Sequence, residues 1–338
     1  MSKFYLLLSF LFACTFVNAQ SQDVSQLQET AKSFTRQGDY TNAILVLNRA
    51  YQQEPSNLDI GKDLALNYYF QRDYARAKEI IDLLLDKDEV DDQVYQVAGN
   101  IYKSLDLPKE CEKIYKKGIK KFRKSGGLYN DYGELLWSQG NIEAIRQWEK
   151  GIELDPNFAG NYYNASRYYY FSFDKVWTVI YGEVFINMES LTGRTVEMKG
   201  ILLEAYKKLF MEQDLLNNNN EQKNAFIAAV LTSMNKQSNI ASSGINPETL
   251  TMIRTRFILD WAETGAKKFP VRLFEYHKQL LQEGMFNAYN QWLFGIPQNL
   301  VAYQRWTSTH TDEYNEFNNF QKGRIFKIPE GQFYQVSK

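Results

Sequence analysis

Small side chains recur along the first part of this chain at a fixed spacing. Ala31, Ala43 and Ala50 are followed 34 residues later by Ala65, Ala77 and Leu84, and after another 34 by Gly99, Cys111 and Gly118. Self-similarity at this period predicts a solenoid of stacked helix pairs, in which each pair buries its apolar face against the next. Gly38-Asp39-Tyr40 separates two helical stretches, and Pro55 closes the unit. Glycine tolerates the left-handed conformation of such a turn, and proline cannot continue a helix. The small residues let the helix backbones approach one another.

The register continues through four units and a worn fifth. Unit one starts at Val24. Unit two starts at Leu58 and carries Ala65, Tyr68, Asp73-Tyr74, Ala77 and Ile81, with Arg72 in place of the turn glycine and Glu89 in place of the closing proline. Unit three, from about Asp92, carries Gly99, Tyr102, Cys111, Tyr115 and Gly118. Unit four, from about Gly126, carries Tyr129, Gly133, Gly140-Asn141, Ala144, Trp148, Gly151 and Pro156, and is one residue short between Gly140 and Ala144. The fifth, from about Ala159, keeps Tyr162, Ala165 and Tyr169 and continues through Val176, Trp177 and Ile180. Between Val24 and Asn187 this pattern resembles the tetratricopeptide repeat (TPR) family. The resemblance implies two antiparallel helices per repeat, with small residues at the crossing points. The expected fold is all-α: a TPR-type helical-hairpin solenoid over 24–187, then a further helical domain over 188–324 and an extended tail over 325–338.

After Asn187 the period is lost but helical spacing persists. One helix is expected over Thr195–Gln213, with Met198, Ile201, Leu202, Ala205, Leu209 and Phe210 on one side. Asn217 to Asn220 reads as a loop, and Ala225 to Met234 as a second apolar run. Asn246-Pro247-Glu248 is a helix start with Asn246 as cap and Pro247 in the first position. Further helices are expected over Pro270–Leu281, Met285–Phe294 (ended by Gly295-Ile296-Pro297) and Leu300–Phe320. The stretch from Ile325 to Val336 reads as strand-like or extended. Phe294-Gly295 and Gly331-Gln332-Phe333-Tyr334 are similar to the tails of TPR proteins exported by Bacteroidetes-type bacteria, a resemblance that implies no activity.

The N-terminus changes the picture of where the chain acts. Lys3, the apolar stretch Phe4 to Val17 and the small residues of Val17-Asn18-Ala19 form a secretory leader, with cleavage expected after Ala19. A rival reading takes Leu11-Phe12-Ala13-Cys14 as a lipidation site, with Phe12 a poor fit. A retained anchor is the third reading. No later run is long enough to span a bilayer. The mature chain is therefore expected to be exported to the periplasm. With Cys14 removed, Cys111 stands alone, which excludes an internal disulfide or a cysteine-based zinc site. Its place in the repeat marks it as a small core residue.

The net charge is −1, from 39 Lys and Arg against 40 Asp and Glu. That balance argues against nucleic acid as partner. The basic run Lys113, Lys116, Lys117, Lys120, Lys121, Arg123 and Lys124 reads as a solvated helix face. Hydrophobic residues are 44% and aromatics 15%, enough for a substantial core.

Chemistry is sparse. The only histidines are His277 and His310. His310 and Glu313 share a helix face, but no second pair completes a metal ligand set. There is no phosphate-binding glycine loop, dinucleotide fingerprint or nucleophile elbow. Asn164-Ala165-Ser166 matches a glycosylation triplet but falls within a helix. No enzyme activity, cofactor or metal is expected.

The TPR resemblance implies that the first helices line a groove. Transferred to this register, that groove includes Lys32, Arg36, Lys62, Tyr69, Phe70, Asn100, Lys103, Trp137, Arg167 and Tyr170. Basic residues at one end and aromatics at the other suit an extended peptide, because aromatics and arginine are the usual anchors of interfaces. The competing reading is that the C-terminal helices pack into the groove and cover Tyr69, Phe70, Trp137 and Tyr170. The carboxylate clamp of some relatives is absent, since Gln28 and Asp63 stand where it requires Lys and Asn. The expected function is a non-catalytic scaffold binding an envelope protein or peptide. The alternatives are a structural subunit of an envelope complex and an accessory enzyme sited around His310 and Glu313.

Overall fold

A computed structural model describes residues 23–172, 174–211, 215 and 224–335. The leader, Cys14, the loop from Asn217 to Asn220 and the last three residues lie outside the described residues. The chain divides into two compact units, residues 1–87 and 88–338. The division falls between repeats two and three, and residues on both sides of 188 belong to the second unit. Both units are helical, and no strand occurs among the described residues.

The first unit holds two hairpins: α1 (Val24–Arg36) with α2 (Tyr40–Gln53), and α3 (Leu58–Phe70) with α4 (Tyr74–Leu85). Asp39, Asn57 and Asp73 cap their helices by accepting amide hydrogen bonds from Asn42, Ile60 and Arg76, which satisfies donors that a helix start leaves orphaned. Ala31, Ala43, Ala50, Ala65 and Ala77 are all buried. Where Leu84 replaces the third small residue, Gly61 makes room: a Cβ there would lie 2.8 Å from the Leu84 side chain.

The second unit continues the pattern with α5 (Asp92–Ser104), α6 (Pro108–Lys121), α7 (Gly126–Ser138), α8 (Ala144–Leu154), α9 (Ala159–Phe171) and α10 (Lys175–Met188). The same exchange of bulk governs its hairpins. A Cβ on Gly99 would lie 2.2 Å from the Tyr115 ring, and one on Gly133 would lie 2.3 Å from Trp148. The glycines of the first helices are thus the sockets for aromatics on the second. Cys111 is buried, with its Sγ 3.2 Å from the Gly99 carbonyl, and burial pushes the thiol up to about 11. Its structural role follows from both. The lysines of α6 are exposed, as the solvated-face reading expects.

The missing residue of repeat four is absorbed at the start of α8. In the first three hairpins the second helix begins two residues after the turn residue; here it begins at Ala144, four after Gly140, and no side chain caps it. The turn itself is unchanged. Gly38, Arg72, Asp106 and Gly140 all take positive φ, at 76°, 66°, 56° and 70°. Two side chains therefore occupy a conformation that favours glycine.

The remaining helices are α11 (Gly193–Leu209), α12 (Ala225–Asn235), α13 (Ser238–Ala241), α14 (Pro247–Thr264), α15 (Arg272–Gln282), α16 (Phe286–Gln298), α17 (Leu300–Thr309) and α18 (Thr311–Lys322). Asn246 caps α14 with Pro247 in its first turn, as the sequence predicts. The single helix expected over Leu300–Phe320 is instead two, broken at His310, whose φ and ψ are −122° and 40°. Hydroxyls of Ser308, Thr309 and Thr311 turn back onto carbonyls of the preceding turn, and such bonds compete with the helix ladder. Gly295-Ile296-Pro297 does not end α16; the break comes at Asn299, which caps α17 through the Ala302 amide.

Helix α10 is buried almost all round, because α9, α11, α12 and α15 all pack on it. It carries Glu183, which is 1% exposed. Arg254 of α14 forms an ion pair with this carboxylate, His277 Nε2 lies 2.7 Å from it, and Tyr289 donates its hydroxyl at 2.8 Å. Asn187 in turn donates to the Tyr289 oxygen at 2.7 Å. Arg254 also reaches Asn290 and lies among the rings of Tyr206, Phe286, Tyr289 and Phe294. Burial by itself would raise the Glu183 carboxyl, but Arg254 and His277 outweigh it and hold it down at about 2. Burial lowers His277, with Arg254 adding to the effect and Glu183 opposing it. An ionised carboxylate only accepts, so His277 Nε2 carries the proton in its contact with Glu183.

Two predictions follow from these contacts. Arg72→Gly relieves the left-handed strain and raises stability by about 0.5–1 kcal/mol after the glycine entropy is deducted; Asp106→Gly gains less because aspartate tolerates the conformation. Urea midpoints check both. Arg254→Met strands a buried carboxylate and costs about 3–5 kcal/mol, whereas adding Glu183→Gln recovers part of the loss. A double-mutant cycle showing no recovery would contradict the pairing.

Candidate functional site

In the second unit, α5, α7, α9 and α11 lie side by side. They are the first helices of successive hairpins, with α11 taking that role after α10. Gln96, Asn130 and Asn164 fall on the 34-residue ruler and face one another through glycines. A Cβ on Gly127 would lie 2.5 Å from Gln96, and one on Gly160 would lie 2.7 Å from Asn130. Asn164 donates to Asn130 Oδ1 at 2.9 Å and to Glu134 at 3.1 Å, and Asn130 donates to Glu134 at 3.2 Å. Lys103 stands 3.9 Å from the same glutamate. Asn164 is 6% exposed, so its glycosylation triplet is inaccessible.

Beside this polar ladder Trp137 is 41% exposed. Its ring is held edge-on by Tyr168 at 5.4 Å and rests against Trp148 at 6.1 Å. It is a rigid aromatic platform with an open face. Asn100 is half-buried on α5. At α9, Arg167 pairs with Glu197 of α11 at 3.3 Å, and Lys208 of α11 covers the Tyr170 ring at 4.1 Å. Tyr163 donates to Glu197 at 2.6 Å; burial, then this carboxylate, raises its hydroxyl to about 12. The covering of the groove by C-terminal helices is therefore partial: it reaches Arg167 and Tyr170 but leaves Trp137 open.

The other expected groove residues lie in the first unit. Lys32 pairs with Glu29 at 3.0 Å and is half-buried, and Arg36 is exposed at the end of α1. Lys62 is buried at 6% exposure beside Asp59, which makes it a supported core residue rather than an open cation. Phe70 is 44% exposed, resting on Tyr40 and Tyr69, and Tyr69 is half-buried against Tyr74.

Residues 34–101 match the tetratricopeptide repeat family model. No curated protein matches the chain. Among solved structures, YrrB, a TPR protein with an unusual peptide-binding site, is similar at 15% identity with a TM-score of 0.37, over 53% of this chain and 98% of its own. The C-terminal part of a TPR repeat-containing protein from Cytophaga hutchinsonii has the same identity and TM-score over 86% of this chain and 95% of its own. The TPR match spans the end of α1 to α5, where the ruler is cleanest.

Two carboxylates on the first helices of the second unit were passed over by sequence reasoning, Asp131 of α7 and Glu197 of α11. Burial pushes the Asp131 carboxyl up to about 6, against a hydrogen bond from Asn130 that favours the ionised form. Neither residue repeats at 34, so no periodic signal marked them; the Gln96, Asn130 and Asn164 series did carry such a signal. The His310 ring stacks on Trp306 at 4.5 Å, and its Nδ1 lies 3.0 Å from the Trp306 carbonyl. No cluster of three metal-binding side chains occurs among the described residues. No described helix is long and apolar enough to cross a membrane.

The Asp131 shift sets a pH dependence. Its folded pKa lies above the unfolded value, so its stabilising contribution is fully present below about pH 4 and is lost as pH rises through about 6. Compared with Asp131→Asn, the wild type should lose about 2 kcal/mol across that window and then run parallel. Urea titrations of both proteins at pH 4, 5, 6 and 7 measure the difference.

Proposed function

We propose that this protein is a non-catalytic binding scaffold of the cell envelope, and that it holds a segment of a partner protein along the face formed by α5, α7, α9 and α11. The observation that carries this reading is the open ring of Trp137 beside Lys103 and Glu134, whose side chains are 34% and 42% exposed. The ring supplies apolar area and the two charged groups supply a donor and an acceptor, while the buried Asn130 and Asn164 hold Glu134 in place. A mobile loop would lose entropy on presenting such groups; stacked helices hold them in place beforehand. The leader-like N-terminus, with its expected cut after Ala19, agrees with the envelope part of this reading.

The test is capture from the native envelope fraction with the wild type and with Trp137→Ala, each confirmed folded by circular dichroism. Loss of a hot-spot aromatic should weaken the captured partner by tenfold or more. Equal capture by both proteins would move the interface elsewhere. Mass spectrometry of the recovered chain should give an N-terminus at Gln20; a lipidated Cys14 or an uncut Met1 would overturn the export route proposed.

A further inference from the structure

The last described residues run extended over 324–329, turn at Glu330–Gly331, where Gly331 takes a φ of 86°, and continue to 335 against the α8–α9 turn, α9, α12 and the start of α15. Side chains alternate: Ile325 and Lys327 are exposed, while Phe326 and Ile328 are 5% and 6% exposed. That is the pattern of a strand, yet no strand pairs with it. Instead, protein side chains read its main chain. Asn157, in the turn between α8 and α9, donates to the Ile328 carbonyl at 3.2 Å and accepts from the Ile328 amide at 3.0 Å. A carboxamide matches a peptide group donor for acceptor, so this recognition is independent of the side chain it holds. Asn224 donates to the Tyr334 carbonyl at 2.6 Å. In return, Gln332 accepts from the Arg272 amide at 2.7 Å, a donor at the start of α15.

Aromatic packing completes the seat. The Tyr334 ring stacks on Phe226 at 4.8 Å, and its hydroxyl donates to the Pro270 carbonyl at 2.7 Å. Beneath the segment lies an apolar cleft lined by Ile152, Tyr162, Trp177, Phe226 and Val271, with a residual cavity of about 40 Å³. The segment does not fill the cleft.

We propose that this cleft is a second peptide-binding site, occupied in cis by residues 324–335, which accepts extended segments of the same chemistry from another protein: a main chain free to hydrogen bond, with branched or aromatic side chains at alternating positions. The chain's own tail is then a tethered competitor, and a partner enters by displacing it. This mode, in which main-chain bonds give affinity and pockets for alternate side chains give specificity, is a general one. It shares α9 with the face proposed above, through Tyr162, but none of the residues named for that face, so separate variants test the two.

The probe is a fluorescein-labelled synthetic peptide of residues 324–335. Its binding is measured by anisotropy to the full-length wild type and to full-length Tyr334→Ala, which loosens the tail without touching the cleft. Because apparent affinity scales with the fraction of open sites, Tyr334→Ala should bind the peptide at least tenfold more tightly than the wild type. Adding Asn157→Ala should then weaken it roughly tenfold through the two lost hydrogen bonds. Gln332→Ala, which removes a single tail contact, provides a milder second route if Tyr334→Ala loses helicity. Folded tail variants that take up no peptide, or uptake indifferent to Asn157, would overturn the proposal and leave the tail as a fixed clasp.

Discussion

The second unit depends on one buried charge. Glu183 sits in the middle of a helix enclosed on all sides, and an ionised carboxylate there is tolerable only with full compensation. Arg254, His277 and Tyr289 supply it from three different helices, α14, α15 and α16. Each of those helices must therefore be in place before the glutamate is satisfied. The network ties the non-repeating helices to the fifth hairpin, and its geometry admits few alternative dockings. A second buried cation takes a different solution. Lys199 of α11 has the face of Trp292 3.7 Å away, and burial lowers its ammonium to about 7. An aromatic face compensates a buried charge only in part.

Within the hairpins the governing constraint is volume. Protein interiors are close-packed, so a large side chain on one helix requires a small one opposite. Gly61 with Leu84, Gly99 with Tyr115 and Gly133 with Trp148 are three instances of this exchange. The repeat therefore tolerates substitution at its small positions when the compensating partner changes too. It also tolerates Arg72 and Asp106 at the left-handed turn, where the packing of both helices over-determines the backbone.

Two surfaces emerge from this scaffold. One presents the Trp137 ring beside the partly exposed Lys103 and Glu134. The other is an apolar cleft lined from α8, α9, α10, α12 and the start of α15, where Asn157 and Asn224 hold the tail by its main chain.

The periodicity of the chain determined the all-α hairpin architecture and the buried small residues, and the local Asn246-Pro247-Glu248 sequence determined Asn246 as a helix cap, because these depend on neighbours close in sequence or one period away. The register placed Trp137 on a first helix, but whether later helices would cover it stayed open in the sequence and was decided by the packing. Other features were decided only by tertiary structure. Glu183 and His277 are 94 positions apart and Asn157 and Ile328 are 171 apart, and no local pattern relates such partners. The burial of Lys62, the covering of Arg167 and Tyr170 by α11, the break at His310 and the seat of the tail likewise came from contacts formed once the helices had packed. Local spacing sets which face of a helix is apolar; what that face meets depends on where the rest of the chain returns.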